Sequence, residues 1–283
     1  MKVRTLEIEK WIVENKEDFV LPVCNKCMFS DQLKLFFVGG PNSRKDYHLE
    51  EGEEFFYQRT GDMVLKVIEQ GTPRDLRIRE GEMFLLPSRV EHSPQRFADT
   101  IGFVLERARE NTEFDCVRYF VDSSTQRLFE RWFHLNDVVR DLPPLIRAFM
   151  SSEENRLGQP GSKSFIVNAP YEPVPQELSK PLNLRQFITD NADTLKKNPV
   201  QVYGTPQYST NVFLYGEGEH PLDSQNIELL IWTLENSQAE LETSDERRRL
   251  ESESMTLCPA FMRCQLKIVK GNVITLQMGP RAN

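Results

Sequence analysis

The sequence predicts a chain dominated by β-structure: two β domains with a few peripheral helices. Three observations predict it. From about Leu33 to Phe133, short runs rich in Val, Phe, Ile and Leu alternate with breaks that carry Gly or Pro, the pattern of a sandwich or barrel. Strand-like runs return from Val212 onward. The length of 283 residues suits two domains, each large enough to bury a core.

Taken in order, residues 5–16 set Leu6, Ile8, Trp11, Ile12 and Val13 among charges and predict a short amphipathic helix. The predicted strands follow: Leu33–Val38, Glu54–Gln58, Met63–Glu69, Leu76–Arg79, Met83–Leu86, Ile101–Glu106 and Val117–Val121. Gly39-Gly40-Pro41, Gly61-Asp62, Gly71-Thr72-Pro73 and Glu80-Gly81-Glu82 are turn chemistry between them. Residues 142–157 read as helical after Pro143 and Pro144. Residues 158–181 hold Pro160, Gly161, Pro170, Pro173, Pro175 and Pro181 with little periodicity. They predict a linker, placed at 161–177, between domains 1–160 and 178–283. Residues 183–197 read as helical through Leu184, Phe187, Ile188 and Leu195. Val212–Tyr215, Ile227–Leu234, Leu266–Val269 and Val273–Leu276 predict the second β domain.

Composition narrows the function. Hydrophobic residues at 39% and charged residues at 28% describe a folded chain. With 35 Lys and Arg against 43 Asp and Glu, the net charge is −8, which argues against a nucleic-acid partner. A small anion held by local arginines remains compatible. No apolar stretch approaches the roughly 18 residues of a membrane helix, and the charged N-terminus lacks a signal-peptide core. No membrane partner and a cytosolic address are expected. Five cysteines, an odd number in a long chain, argue against a disulfide framework.

Four histidines are present, and His48 and His92 lie in the most patterned segments. One His and one carboxylate on a strand pair, with a second His from a later hairpin, form a two-His, one-carboxylate face. That donor set suits Fe(II) and leaves three positions open, enough for a bidentate organic chelate and O2. In an extended strand, residues four apart share a face, so Arg44 accompanies His48 and Arg96 accompanies His92, each about 13 Å along the backbone. Two planar guanidinium forks beside a metal describe a pocket for a small anionic chelator.

These segments resemble the paired motifs of the cupin superfamily. His48 falls on the first His, Glu54 on the Glu and Gly61 on the closing Gly of the first motif; Gly81, Pro87 and His92 match the second. Glu50 stands where a second His would be, Arg89 where a Gly would be, and Arg96 where an Asn would be. With these departures, the wording of residues 39–54 and 87–97, of Pro22-Val23-Cys24-Asn25-Lys26 and of Phe103-Val104-Leu105-Glu106-Arg107 is similar to the 3-hydroxyanthranilate 3,4-dioxygenase family. The likeness is dense over about residues 10–135 and thin beyond about 180. It is closest to the animal form, with two cupin jelly-roll barrels in one chain and the second barrel free of metal.

The resemblance implies Fe(2+) held by His48, Glu54 and His92. It implies a substrate carboxylate paired by Arg44 and Arg96, with Glu54 also facing the substrate. Glu106 would contact the hydroxyl or amino side of the ring and take a proton, and Asn25 would sit at the pocket edge. The implied reaction opens the ring of 3-hydroxyanthranilate with O2 to 2-amino-3-carboxymuconate semialdehyde, a step towards quinolinate and NAD in the kynurenine route of tryptophan breakdown. A metal-dependent cupin isomerase and a non-enzymatic acid-binding bicupin stand as alternatives. Cys24-Asn25-Lys26-Cys27, with Cys258 and Cys264 too widely spaced to complete a four-Cys site, reads as ordinary thiols. Two barrels in one chain can bury a face that a single barrel would bury by dimerising, so a monomer is expected.

Overall fold

The computed structural model describes residues 2–19, 24–42, 44–122 and 124–280. Pro22, Val23 and Ser43, which belong to the segments carrying the resemblance, lie outside the described residues. Four antiparallel sheets form two sandwiches. In the first, six strands in the order Leu182–Asn183, Glu82–Leu86, Glu54–Thr60, Ile101–Arg107, Leu33–Gly39, Asn25–Ser30 make one sheet. Its companion runs Arg127–Phe133, Asp115–Phe120, Tyr47–Leu49, His92–Arg96, Met63–Glu69, Thr72–Ile78. The second sandwich has a six-stranded sheet, Arg4–Glu7, Ser254–Cys258, Leu229–Thr233, Val273–Gln277, Asn211–Tyr215, Val200–Tyr203. A four-stranded sheet, Gly218–Asp223, Arg263–Lys270, Gln238–Glu242, Arg247–Leu250, completes it. This is the two-barrel jelly-roll architecture the sequence predicts.

The six-stranded sheet containing Glu54–Thr60 is buried on both faces. Strand side chains alternate between faces. Phe55, Phe103, Leu105, Leu35 and Phe37 turn outward and join Leu214, Leu230, Trp232, Ile274 and Leu276 of the second sandwich in one apolar cluster. The ring of Trp232 meets Tyr57 edge-on at 4.6 Å and Phe103 at 5.0 Å between centroids. Their sequence neighbours turn inward: Phe56 packs with Met63, Leu65, Ile78, Phe84 and Leu86 inside the first sandwich. Double burial is why these strands read as continuous apolar runs. The interior of the second sandwich is filled by Leu229, Ile231, Leu241, Leu266 and Ile268, together with Cys258 and Cys264.

The structure departs from the sequence reading at several elements. Residues 5–16 are not wholly helical: Arg4–Glu7 is a strand paired with Ser254–Cys258, and the helix is Ile8–Asn15. Cross-strand pairing, including Thr5 Oγ1 to Thr256 Oγ1 at 2.9 Å, overrides the helical pattern at its start. The first residues thus join the second sandwich, while Leu182–Asn183 joins the first. The helix expected after Pro143 begins earlier, as Val138–Met150, with both prolines inside it. Its Leu142 and Phe149 are buried against Val117, Tyr119 and Phe129, packing that outweighs local propensity. The Pro-rich residues 161–177 form no regular element. They strap the first sandwich through Tyr171, whose hydroxyl donates to the Phe114 carbonyl at 2.7 Å, and through Val174 N to the Arg89 carbonyl at 2.9 Å. Strands Gln238–Glu242 and Arg247–Leu250 are additions, half polar because one face meets solvent. Among the described residues no helix is long and apolar enough to cross a membrane.

Trp232 is 4% exposed at the junction of the two sandwiches. Trp232→Ala is expected to lower unfolding free energy by about 3–5 kcal/mol, read from urea denaturation. A loss near that of an exposed substitution would contradict a shared core.

Candidate metal centre

Antiparallel pairing puts the two key histidines together. Tyr47–Leu49 pairs with His92–Arg96 so that His48 and His92 are direct cross-strand partners, a relation that places both side chains on one face. Their ring centroids are 5.4 Å apart. Glu54 opens a strand of the opposite sheet and faces them across the interior. Its Oε1 lies 3.4 Å from His92 Nε2 and 3.8 Å from His48 Nδ1. Donor atoms of His48, Glu50, Glu54 and His92 all lie within 4.8 Å of one another, and all four residues are buried.

These residues fit a divalent metal. Bonds of about 2.0–2.2 Å require paired donors no farther apart than about 4.4 Å, and both His–Glu54 separations meet that. Each imidazole has its other nitrogen fixed: His48 Nε2 lies 2.8 Å from Asp115 Oδ2, and His92 Nδ1 lies 2.9 Å from the Val90 carbonyl. Such outer partners orient a metal-binding His and raise its basicity. Burial alone would push His48 down, but the Asp115 and Glu54 carboxylates outweigh it and bring the imidazole up to about 9. Burial would raise the Glu54 carboxyl; the His92 and His48 side chains instead hold it well below the usual carboxylate range. A cation between these groups would be held by the same carboxylate and imidazole donors.

The surrounding pocket encloses about 610 Å³ including its open mouth. All seven residues singled out in the sequence line it: Asn25, Arg44, His48, Glu54, His92, Arg96 and Glu106. Phe36, Val38, Phe56, Val104 and Leu142 supply apolar walls. The two arginines differ. Arg44 lies outside a strand, and its fork is engaged by Asp46, at 2.6 Å through Nη2 and 3.2 Å through Nε. Arg96 is 4% exposed and donates from Nη1 to Gln58 Oε1 at 3.0 Å, but among the described residues no acceptor reaches its Nε. Burial pushes this guanidinium down to about 10, against the pull of Glu54. A buried donor without an acceptor is costly, and Arg96 is one of the residues that line the pocket. Gly102 makes room for the arrangement: a Cβ there would stand 2.6 Å from Gln58 Oε1 and 3.3 Å from Arg96 Nη1.

The sequence reading missed Asp115 and Arg109. Arg109 donates from Nε to Asp115 Oδ1 and from Nη2 to Asp115 Oδ2, both at 2.9 Å, reaches Glu106 Oε2 at 3.0 Å, and forms an ion pair with Glu50. Burial would raise the Asp115 carboxyl, yet Arg109 and His48 hold it down at about 2. Both residues come from the charged stretch 106–115, which carries no sign of burial in its composition.

Comparison with known proteins agrees with this geometry. The family model for 3-hydroxyanthranilic acid dioxygenase matches residues 1–150. The chain is 57% identical over 276 residues to the 3-hydroxyanthranilate 3,4-dioxygenase of Caenorhabditis elegans, covering 98% of each chain. It is 46% identical over 235 residues to that of Homo sapiens, covering 83% of this chain and 82% of the other. The chain belongs to the 3-hydroxyanthranilic acid dioxygenase family. Among solved structures, a salicylate 1,2-dioxygenase from Pseudaminobacter salicylatoxidans superposes with a TM-score of 0.61 at 10% identity, covering 99% of this chain and 84% of that one. That likeness is one of fold.

Within this 3-hydroxyanthranilic acid dioxygenase frame, the departures from the cupin motif acquire structural reasons. Arg89, at a motif glycine position, keeps a left-handed backbone with φ of 59°. It is held by Glu51 at 2.8 Å and by the Tyr171 ring at 4.6 Å. Cys24 and Cys27 donate to the backbone carbonyls of Pro41 and Phe29.

Asp115→Asn, which keeps shape but removes the charge behind His48, is expected to weaken metal retention about 10- to 100-fold. Competition with a chelator measures it; unchanged retention would show that Asp115 does not support His48.

Proposed function

We propose that the chain is an Fe(II)-dependent ring-opening dioxygenase that converts 3-hydroxyanthranilate and O2 to 2-amino-3-carboxymuconate semialdehyde, both oxygen atoms entering the product. Its membership of the family supports the reaction. The Arg44 and Arg96 side chains lining the same pocket as His48, Glu54 and His92 carry the site reading, because they set two cations where a substrate carboxylate would lie.

The proposed roles follow from chemistry. His48, Glu54 and His92 would hold the iron, three protein donors in all, which would leave room on it for a chelating substrate and O2. When bound, Fe(II) supplies a Lewis-acidic, electron-donating centre that brings ring and O2 together. Arg96 and Arg44 grip the carboxylate and fix the ring's orientation, so that much of the rate arises from placement. Phe36, Val38, Phe56, Val104 and Leu142 pack around the ring and exclude water. Glu106 has Oε2 engaged by Arg109, which leaves Oε1 to take the hydroxyl proton. Asn25 borders the pocket at its rim.

The same proposal assigns catalysis to residues 1–160 and support to residues 178–283, joined by 161–177. The apolar face of the first sandwich is already covered by the second, which favours a monomer. Five free cysteines favour a reducing cytosol.

Anaerobic loading with Fe(II), then addition of 3-hydroxyanthranilate and air, is expected to give stoichiometric O2 uptake and new near-UV absorbance from the semialdehyde. Absence of both would refute the function. Arg96→Ala is expected to raise KM roughly 10- to 100-fold through loss of a charged hydrogen bond. His92→Ala is expected to lose iron. Normal saturation kinetics in the first and full iron content in the second would overturn the site assignment.

A further inference from the structure

We propose that Arg109 holds Glu50 out of the metal's coordination sphere and so keeps open the position that a fourth protein ligand would fill. This rests on the metal reading of His48, Glu54 and His92. Glu50 occupies the place of the second motif His, and its carboxylate lies within 4.8 Å of the other three donors. Distance alone therefore does not exclude it from a metal. Its partner does. Glu50 is ion-paired to Arg109 Nη2, and the Arg109 side chain is 1% exposed and fastened on every nitrogen. Nε and Nη2 bind Asp115 at 2.9 Å, Nη1 donates to the Arg107 carbonyl at 2.9 Å, and Nη2 also reaches Glu106 at 3.0 Å. A guanidinium tied at this many points cannot follow Glu50 towards a metal. To coordinate, Glu50 would have to give up its buried ion pair with a guanidinium that Asp115 and Glu106 hold in place, a costly exchange in a dry site. The turn after Glu50 closes on the pair: a Cβ at Gly52 would stand 3.1 Å from Glu50 Oε2 and 3.7 Å from Arg109 Nη1.

The consequence is a count of open positions. Two His and one carboxylate leave three sites of an octahedron, which a bidentate substrate and O2 fill together. Two His and two carboxylates leave two, and chelate and O2 would then compete. Arg109 is thus a positioning residue for the reaction through Glu50, in addition to its bonds to Glu106 and Asp115.

Co(II), whose visible bands respond to the number and kind of its ligands, is the probe. The wild-type chain and four variants are loaded with it without air and titrated with 3-hydroxyanthranilate. Glu50→Ala is expected to leave the resting bands and the chelate affinity as in wild type. Altered resting bands would make Glu50 a ligand and overturn the inference while leaving the metal site intact. Arg109→Met is expected to shift the resting bands and weaken chelate binding about 10- to 100-fold. Adding Glu50→Ala to it is expected to restore both towards wild type. Wild-type bands in Arg109→Met, or no restoration in the double variant, would also overturn it. If Arg109→Met does not fold, the Glu50→Ala arm decides alone. A wild-type chain that binds no Co(II), or a His92→Ala chain that binds it equally, refutes the metal reading instead.

Discussion

The sheet built around Glu54–Thr60 and Ile101–Arg107 has no solvent face, and the molecule is organised by that constraint. With a period of two, the residues along the middle of these strands belong either to the joint between the sandwiches or to the interior of the first. Phe55 and Tyr57 go to the joint, where they meet Tyr203 and Trp232. Glu54, Phe56 and Gln58 go inward, where Glu54 meets the histidines and Gln58 holds Arg96. A one-residue slip would exchange the two sets and put a carboxylate into an aromatic core. The contacts between the sandwiches therefore also fix the register of the site.

Inside, the difficulty is charge. Glu50, Glu54, Glu106 and Asp115 crowd a region with almost no solvent access. Unpaired charges there would be strongly destabilising. Arg109 answers for three of them, and the histidines answer for Glu54. Among the described residues, Arg96 Nε and both Glu50 oxygens are buried there without a hydrogen-bond partner, Glu50 being held by its ion pair with Arg109. The site is thus built around a core of buried carboxylates, with donor atoms of His48, Glu50, Glu54 and His92 clustered within 4.8 Å of one another.

The legible part of the sequence was the part where residue type and spacing coincide with chemistry. His48, Glu54 and His92 were readable because few residue types bind metals and because their spacing matches paired motifs. The central strands were readable because double burial writes apolar runs. Asp115 and Arg109 were not: a charged stretch looks alike whether solvated or folded into a dry network, and only tertiary burial tells them apart. The Arg4–Glu7 strand was hidden because its partner, Ser254–Cys258, lies at the far end of the chain. Strand parity points Arg44 to the same face as His48. Arg44 does line the pocket, but from irregular backbone held by Asp46.

The exchange of edge strands gives the second sandwich a role that does not require a ligand of its own. Arg4–Glu7 crosses to the second sandwich and Leu182–Asn183 crosses to the first, pairing with Glu82 and Met83. Each sandwich thereby caps a sheet edge of the other, which blunts the exposed edges that otherwise invite aggregation. The strap over residues 161–177 adds ties to the first sandwich at Arg89 and Phe114. Separating the halves would therefore expose the Phe55, Phe103 and Trp232 surface and also two unpaired strand edges. The strands that carry Glu54 and Glu106 would then lose the packing that sets their alternation. In this architecture the sandwich that holds His48, Glu54 and His92 depends on its partner for the position of those side chains, without any contact between the second sandwich and them being needed.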